Sequence, residues 1–475
     1  MRNTFYITTT LPYVNSDPHI GHAVEFVRAD AIARYKRAKG FEVFFNTGTD
    51  EHGLKVYRKA VENNEDPKLF ADKYSSRFKN FCSKFDISYD NFIRTTDESH
   101  IKTAQEFWKR CDENGYIFKK KYSVKYCVGC ELEKTESELV DGKCPEHPNL
   151  EPELLEEENY FFKFSAFQEK LLELYKNNPN FVLPEKRMKE ITKFAEQGLQ
   201  DFSISRLAEK MPWGIPVPGD ESQVMYVWFD ALTNYISAVG WPENSEKFNK
   251  WWPAVQIAGK DNLRQQSAMW QAMLMSVGLP PSENILINGF ILAGGQKMSK
   301  SLGNTIDPVE LAEKYGVDAV RYYLLREVSQ FEDGDITPER FEETYNANLA
   351  NGLGNLASRI LKMSEAYGVK PNLPDKKGFG RLNGVFESME KYRINEAIDG
   401  IWNEISKADK YIQDKKPFSI VKTNEAEARE IIKELVLQLW DIAIALEIFL
   451  PKTAQKIQKC IQENKMPENP LFPRI

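Results

Sequence analysis

The chain of 475 residues is poor in cysteine, in histidine and in long apolar runs, and each shortage excludes something. Six cysteines in that length are too few for a disulfide scaffold. No run approaches the roughly eighteen apolar residues of a membrane-spanning helix, which rules out an integral membrane protein. The opening Met1-Arg2-Asn3-Thr4-Phe5-Tyr6-Ile7 holds neither an apolar signal segment nor a cleavage site, so the chain is expected to stay in the cytoplasm. No internal repeat and no low-complexity segment interrupts it. A large excess of one charge is missing too: 63 Lys and Arg face 70 Asp and Glu, for a net charge of −7. That argues against a protein that coats nucleic acid non-specifically, but not against local basic patches. Of only five histidines, His19, His22 and His52 fall in the first 52 residues, and that clustering is the first hint of a site.

What is present is an ordinary soluble balance, 42% hydrophobic and 28% charged, in a length suited to about two to four domains. Residues 5–10 are β-branched and aromatic, a buried strand. The two prolines and Asx residues of 12–18 form a turn. Val24, Val27, Ala31 and Tyr35 then recur at helical spacing, and Gly40 supplies the stop. Residues 41–45 are the next strand, closing on Asn46-Thr47-Gly48-Thr49-Asp50. Ligands bind beyond the carboxyl ends of strands in an open α/β sheet, so loops 11–22 and 46–53 are expected to line one site. Near residue 116 the character changes, with a Lys119-Lys120-Lys121 run and a Glu156-Glu157-Glu158 run. This stretch reads as an insertion with its own small fold. Strand-like runs return at 224–229, 255–258 and 285–287. From about residue 335 only long amphipathic stretches remain, such as 349–363 and 425–449, and these predict a helical bundle.

Three motifs carry chemistry. Pro18-His19-Ile20-Gly21-His22 opens the first helix, whose N-terminus suits an anion such as phosphate. Alone, this pattern serves equally well as a polar helix cap. No G-x-G-x-x-G occurs in this turn, which disfavours a dinucleotide fold. The second motif, Gly294-Gly295-Gln296-Lys297-Met298-Ser299-Lys300-Ser301-Leu302-Gly303-Asn304, describes a mobile loop able to close over polyphosphate, or simply an exposed basic loop. The third is Cys127-Val128-Gly129-Cys130 followed by Cys144-Pro145-Glu146-His147. Two close-spaced knuckles are what a tetrahedral site for one structural Zn²⁺ needs, with Cys127, Cys130, Cys144 and His147 as ligands. The fold expected is therefore α/β: a doubly wound, Rossmann-like parallel sheet, split by a zinc-knuckle insertion and followed by an α-helical bundle domain.

The pairing of Pro-His-Ile-Gly-His with a distant Lys-Met-Ser-Lys-Ser resembles the two-part signature of class I aminoacyl-tRNA synthetases. Further segments narrow the resemblance to the methionyl-tRNA synthetase family: Thr10-Leu11-Pro12-Tyr13-Val14-Asn15, Gly48-Thr49-Asp50-Glu51-His52-Gly53, Tyr226-Val227-Trp228-Phe229-Asp230-Ala231 and Gly259-Lys260-Asp261. The likeness runs from Phe5 to the C-terminal bundle. It implies ATP-dependent activation of methionine to methionyl-adenylate, then transfer to the 3′ end of methionine tRNA with release of AMP and diphosphate. It assigns residues 1–115 and 224–334 to two halves of a catalytic domain, 116–223 to the connective insertion and 335–475 to an anticodon-binding domain.

The resemblance also implies roles. His19, His22, Lys297 and Lys300 become the catalytic groups that stabilise charge on the triphosphate, with Mg²⁺ accompanying ATP. Pro12, Gly21 and Ser299 join them as ATP-binding residues. Asp50 takes the substrate ammonium, while Leu11, Tyr13, Trp228, Ala231 and Tyr235 line an apolar, aromatic methionine pocket. From the residues alone these would be core packing. Asn355, Arg359 and Phe418 are implied to read the anticodon, Phe418 standing where the family usually carries tryptophan. Gln266 replaces a usual histidine, Asn262 a usual aliphatic residue, and Leu232 a frequent proline. The zinc insert is expected to flank the site without entering it. The chain stops at Ile475, so a monomer is expected. Two other readings stay open at this level: a class I synthetase for another apolar or thiol amino acid, and a paralogue that binds tRNA without catalysis.

Overall fold

A computed structural model describes residues 3–134, 138–298, 306–374 and 379–475. Thr4–Thr9 (β1), Glu42–Thr49 (β2), Asn91–Arg94 (β3), Val182–Leu183 (β4), Val255–Gly259 (β5) and Asn284–Asn288 (β6) form one sheet. Its order is β3-β2-β1-β5-β6-β4, and every pairing is parallel. The apolar runs of β1, β5 and β6 are buried because helices cover both faces of the sheet. The strand order reverses between β1 and β5, the switch point beyond whose carboxyl ends open α/β sheets bind their ligands. Ile20–Ala38 (α1) follows β1 and packs on β1, β2 and β5.

Two stretches differ from the sequence reading. Residues 224–229 are not one strand: Asp220–Met225 pairs antiparallel in a separate small sheet, and the chain then turns into the helix Val227–Leu232. A short, wholly apolar run carries no periodicity that separates strand from buried helix. β4 lies inside the span read as insertion, yet it pairs with β6 at the edge of the main sheet. Two residues are too few to leave a pattern.

The insertion is built on a long antiparallel pair, Ile117–Cys127 with Glu153–Phe162. The lysine and glutamate runs meet across it at one end only, with Lys121 opposite Glu158, while Lys119 and Lys120 lie opposite Tyr160 and Asn159. The C-terminal third is helical, as in Ile394–Lys415, Glu425–Leu446 and Pro451–Glu463. It shares one continuous hydrophobic core with the sheet, running from Ile7 and Phe45 to Leu446 and Ile457. Among the described residues no helix is long and apolar enough to cross a membrane.

Candidate active site

His19 is the N-cap of α1. Its Nδ1 accepts the Gly21 N–H at 3.2 Å, while His22 Nδ1 accepts the His19 N–H at 3.2 Å. The rings stack with centroids 3.7 Å apart and planes 19° from parallel. Because both Nδ1 atoms accept, each ring carries its proton on Nε2. Two imidazole N–H donors thus stand at the positive end of a helix, at the sheet's switch point. Gly21 permits the arrangement, since a Cβ there would lie 3.0 Å from the His19 ring. One turn on, Glu25 Oε1 accepts the Thr10 N–H and hydroxyl at 2.6 and 2.7 Å. Burial pushes its carboxyl up to about 8 against the pull of those bonds, with the Asp261 charge adding.

The loops after β1 and β2 are zipped together. Asp50 N–H donates to Pro12 O at 2.9 Å, and Val14 N–H to Asp50 O at 3.2 Å, which seats Tyr13 beside Asp50. Leu11 is half-buried in the same loop. Buried Glu51 anchors this wall, accepting Arg94 Nε and Nη2 at 2.6 and 2.8 Å. Tyr13 meets Trp228 edge-on at 6.5 Å. Trp228 and Ala231 ride on the helix Val227–Leu232, and Tyr235 lies in the next turn. The Tyr235 hydroxyl accepts from Gln266 Nε2 at 2.8 Å, and Gln266 Oε1 accepts from Gln256 at 3.1 Å. Gln266 therefore occupies a wholly buried amide network behind the pocket.

Sequence reasoning missed what fixes that helix. His52 Nδ1 and His100 Nε2 each lie 2.7 Å from one oxygen of buried Asp230. Burial works against its ionisation, but the His52 charge and both imidazole hydrogen bonds hold Asp230 below the usual carboxylate range. The signal was available, since His52 and Asp230 both fall within quoted motifs; His100 had none. Asp50 has the opposite environment. Burial, with the charges of Asp230 and Glu131, pushes its carboxyl well above the ordinary value.

Glu131 was also missed, and it corrects the expectation that the insert only flanks the site. It follows Cys130 in the knuckle, yet its side chain is buried against Gly53, after β2, and against Lys55 at the start of the helix Leu54–Glu62. The four predicted metal ligands do converge. All their donor atoms lie within 4.8 Å of one another, with Cys130 Sγ to Cys144 Sγ at 3.5 Å and Cys127 Sγ to His147 Nδ1 at 3.8 Å. Metal–ligand lengths of roughly 2.3 Å for sulfur and 2.0–2.1 Å for nitrogen give tetrahedral edges of about 3.5–3.8 Å, so the set fits Zn²⁺. Gly129 makes room, because a Cβ there would fall 2.5 Å from the His147 ring.

Lys297 lies in Gln296–Lys297, a short strand paired with Ile291–Ala293. Its side chain, and Ser299 and Lys300 entirely, lie outside the described residues. In the bundle, Asn355 begins the helix Asn355–Ala366 and is exposed. Arg359, one turn on, pairs with Asp409 of Ile394–Lys415. That helix leads directly to Pro417 and to Phe418, which is 49% exposed where apolar burial would be the rule.

A doubly wound sheet with a histidine pair at its switch point and a buried carboxyl beside aromatic side chains suits an enzyme that acts on a nucleotide. The comparisons agree. The family described as tRNA synthetases class I (M) matches residues 5–151 and 148–361. The methionine–tRNA ligase of Thermotoga maritima is 42% identical over 480 aligned positions, covering 98% of this chain and 76% of that protein. That of Brucella suis biovar 1 is 40% identical over 472, covering 96% and 91%. The Mycobacterium tuberculosis methionyl-tRNA synthetase in complex with methionyl-adenylate superposes with a TM-score of 0.91 at 38% identity, covering 99% of this chain and 100% of that one. Its free-state form gives 0.83. The chain belongs to the methionine–tRNA ligase family of class I tRNA synthetases.

Proposed function

We propose that this protein activates methionine with ATP and charges methionine tRNA. The observation that carries the reading is the stacked His19–His22 pair at the N-terminus of α1, at the sheet's switch point, together with Tyr13 beside Asp50 and against Trp228 in the loops that leave the same sheet. A methionine carboxylate oxygen attacks the α-phosphorus, the bond to the bridging oxygen breaks, and diphosphate leaves. His19 and His22 donate their Nε2–H groups to the phosphate oxygens as charge develops, with Pro12 and Gly21 shaping the cradle. Lys297, Ser299 and Lys300 hold the departing diphosphate, and Mg²⁺ arriving with ATP offsets further phosphate charge. Asp50 receives the substrate ammonium, whose charge offsets the cost of ionising a buried carboxyl. Leu11, Tyr13, Trp228, Ala231 and Tyr235 enclose the thioether side chain. The terminal ribose hydroxyl of tRNA then attacks the carbonyl and AMP leaves.

In this reading residues 1–115 and 224–334 are the catalytic halves and 116–223 the connective insertion, apart from Val182–Leu183, which joins the catalytic sheet. One Zn²⁺ held by Cys127, Cys130, Cys144 and His147 is structural, since four protein ligands leave no open position. Residues 335–475 read the anticodon, and the chain works as a monomer. Arg359 offers a planar fork, Asn355 a donor and an acceptor, and Phe418 a stacking face. The test is charging of a CAU-anticodon tRNA with methionine, by the parent and by Arg359→Ala. The parent should charge it and discriminate against an anticodon-changed tRNA. Arg359→Ala should depress charging while leaving methionine activation intact. Equal charging of both tRNAs by parent and variant alike would overturn the anticodon assignment.

A further inference from the structure

Three buried polar atoms lack a hydrogen-bond partner and come from three separate segments: Tyr13 Oη after β1, Asp50 Oδ1 after β2, and Glu131 Oε2 on the knuckle. Their groups are near neighbours, each close enough to act electrostatically on the others. Buried polar groups are otherwise satisfied, so a cluster of orphans asks for a ligand. Glu131 divides its duties. Its Oε1 accepts the Lys55 N–H at 2.9 Å, at the start of the helix Leu54–Glu62, and its carbonyl accepts the Tyr226 hydroxyl. Lys55 Nζ returns a bond to Gly129 O at 3.1 Å. These contacts hold the carboxylate in place and turn Oε2 toward the Tyr13 hydroxyl. Room for it is kept by Gly53, where a Cβ would lie 2.9 and 3.0 Å from the two carboxylate oxygens.

An ammonium group has three donors and no acceptor, the complement of two carboxylate oxygens and a phenol oxygen, whose own O–H can still turn toward Glu131. We propose that Glu131, carried by the zinc knuckle, is a second carboxylate for the ammonium group of the amino acid substrate, acting with Asp50 and Tyr13. The inference rests on the amino acid-activating reading above. It gives the knuckle a part in selecting substrate: a ligand without its amino group leaves the two carboxylates without a cation between them.

The experiment is calorimetric binding to the zinc-loaded full chain, parent and Glu131→Gln, with zinc content measured on both. The ligands are methionine, methioninol (amine kept, carboxylate lost) and 4-(methylthio)butanoate (amine lost). Glutamine keeps an oxygen for the Lys55 N–H but loses the charge. Methionine and methioninol should bind roughly ten- to a hundredfold more weakly to the variant, the range expected for one charge-assisted hydrogen bond. The amine-free acid should bind both proteins alike, and zinc should stay at one per chain. Equal weakening for all three ligands would show a purely structural role and overturn the proposal, as would no weakening at all. If Glu131→Gln loses zinc, Glu131→Asp, which keeps the charge but withdraws it, should show the same split between amine and amine-free ligands, and failure to do so overturns the proposal. A parent that binds no methionine would instead remove the functional reading on which this rests.

Discussion

Ionisable side chains near the sheet's switch point are set against one another by environment. Asp230 stays ionised between two imidazoles, Asp50 is pushed toward its neutral form, and Glu25 is raised to about 8. The last has a measurable consequence. Unfolded, Glu25 titrates near 4.5, and folded near 8. Between those values the folded chain holds the proton more tightly. Its contribution to stability is therefore complete below the lower value and lost as pH rises through the upper one. Glu25→Gln keeps an oxygen for Thr10 and cannot ionise. It should melt with the parent near about pH 5 and above it near about pH 9. Thermal scans at fixed ionic strength check this, and a difference that does not change with pH would contradict it. At this scale the sequence was legible where a residue sits in a short contiguous pattern, as His19, His22 and Asp50 do. Glu131 and His100 were illegible because folding alone brings them to Lys55 and to Asp230.

Among elements, α1 and the knuckle do the most. α1 carries the histidine pair at its start, and at its far end Tyr35 stacks on Phe379 and Phe386 of the bundle, 5.7 and 5.8 Å away. Midway, fully buried Arg28 donates to Asn288 and to the carbonyls of Leu324, Val328, Ser329 and Gln330. Periodicity marked α1 because its apolar positions repeat. Nothing marked Arg28, since a charged residue on a helix ordinarily faces water. The knuckle was legible from ligand spacing alone, while the reach of Glu131 to Gly53 and Lys55 was not. Cys144→Ala should lower zinc below one per chain and raise amide exchange first in residues 127–147. Since Glu131 follows a ligand directly, methionine binding should weaken with it. Full zinc content in the variant, or exchange rising first elsewhere, would count against this account of the knuckle.

Across the whole molecule, sheet and bundle are one packed body. Arg321 donates to Asp30 at 2.7 Å with both side chains fully buried, and also bonds the Phe449 carbonyl at 2.8 Å. Removing one partner of such a pair costs about 3–5 kcal/mol, because the other is left charged and buried. Arg321→Met should therefore lower Tm by several degrees, and methionine activation at low temperature should survive, since the pair lies away from the His19–His22 pair. An unchanged Tm would mean that this junction does not hold the domains together. Domain order was readable from where strand signals stop and helical periodicity begins. The docking of bundle on sheet was not, because buried arginines and aromatic stacks across hundreds of residues leave no local pattern.

The central claim, that the switch-point histidines serve the activation of one amino acid, is tested most directly by ATP–pyrophosphate exchange across the twenty amino acids, with parent and His22→Ala side by side. Methionine should drive exchange well above every other amino acid, and His22→Ala should lose roughly a hundredfold or more with methionine binding little changed. Exchange driven best by another amino acid, or an unchanged rate in His22→Ala, would contradict it.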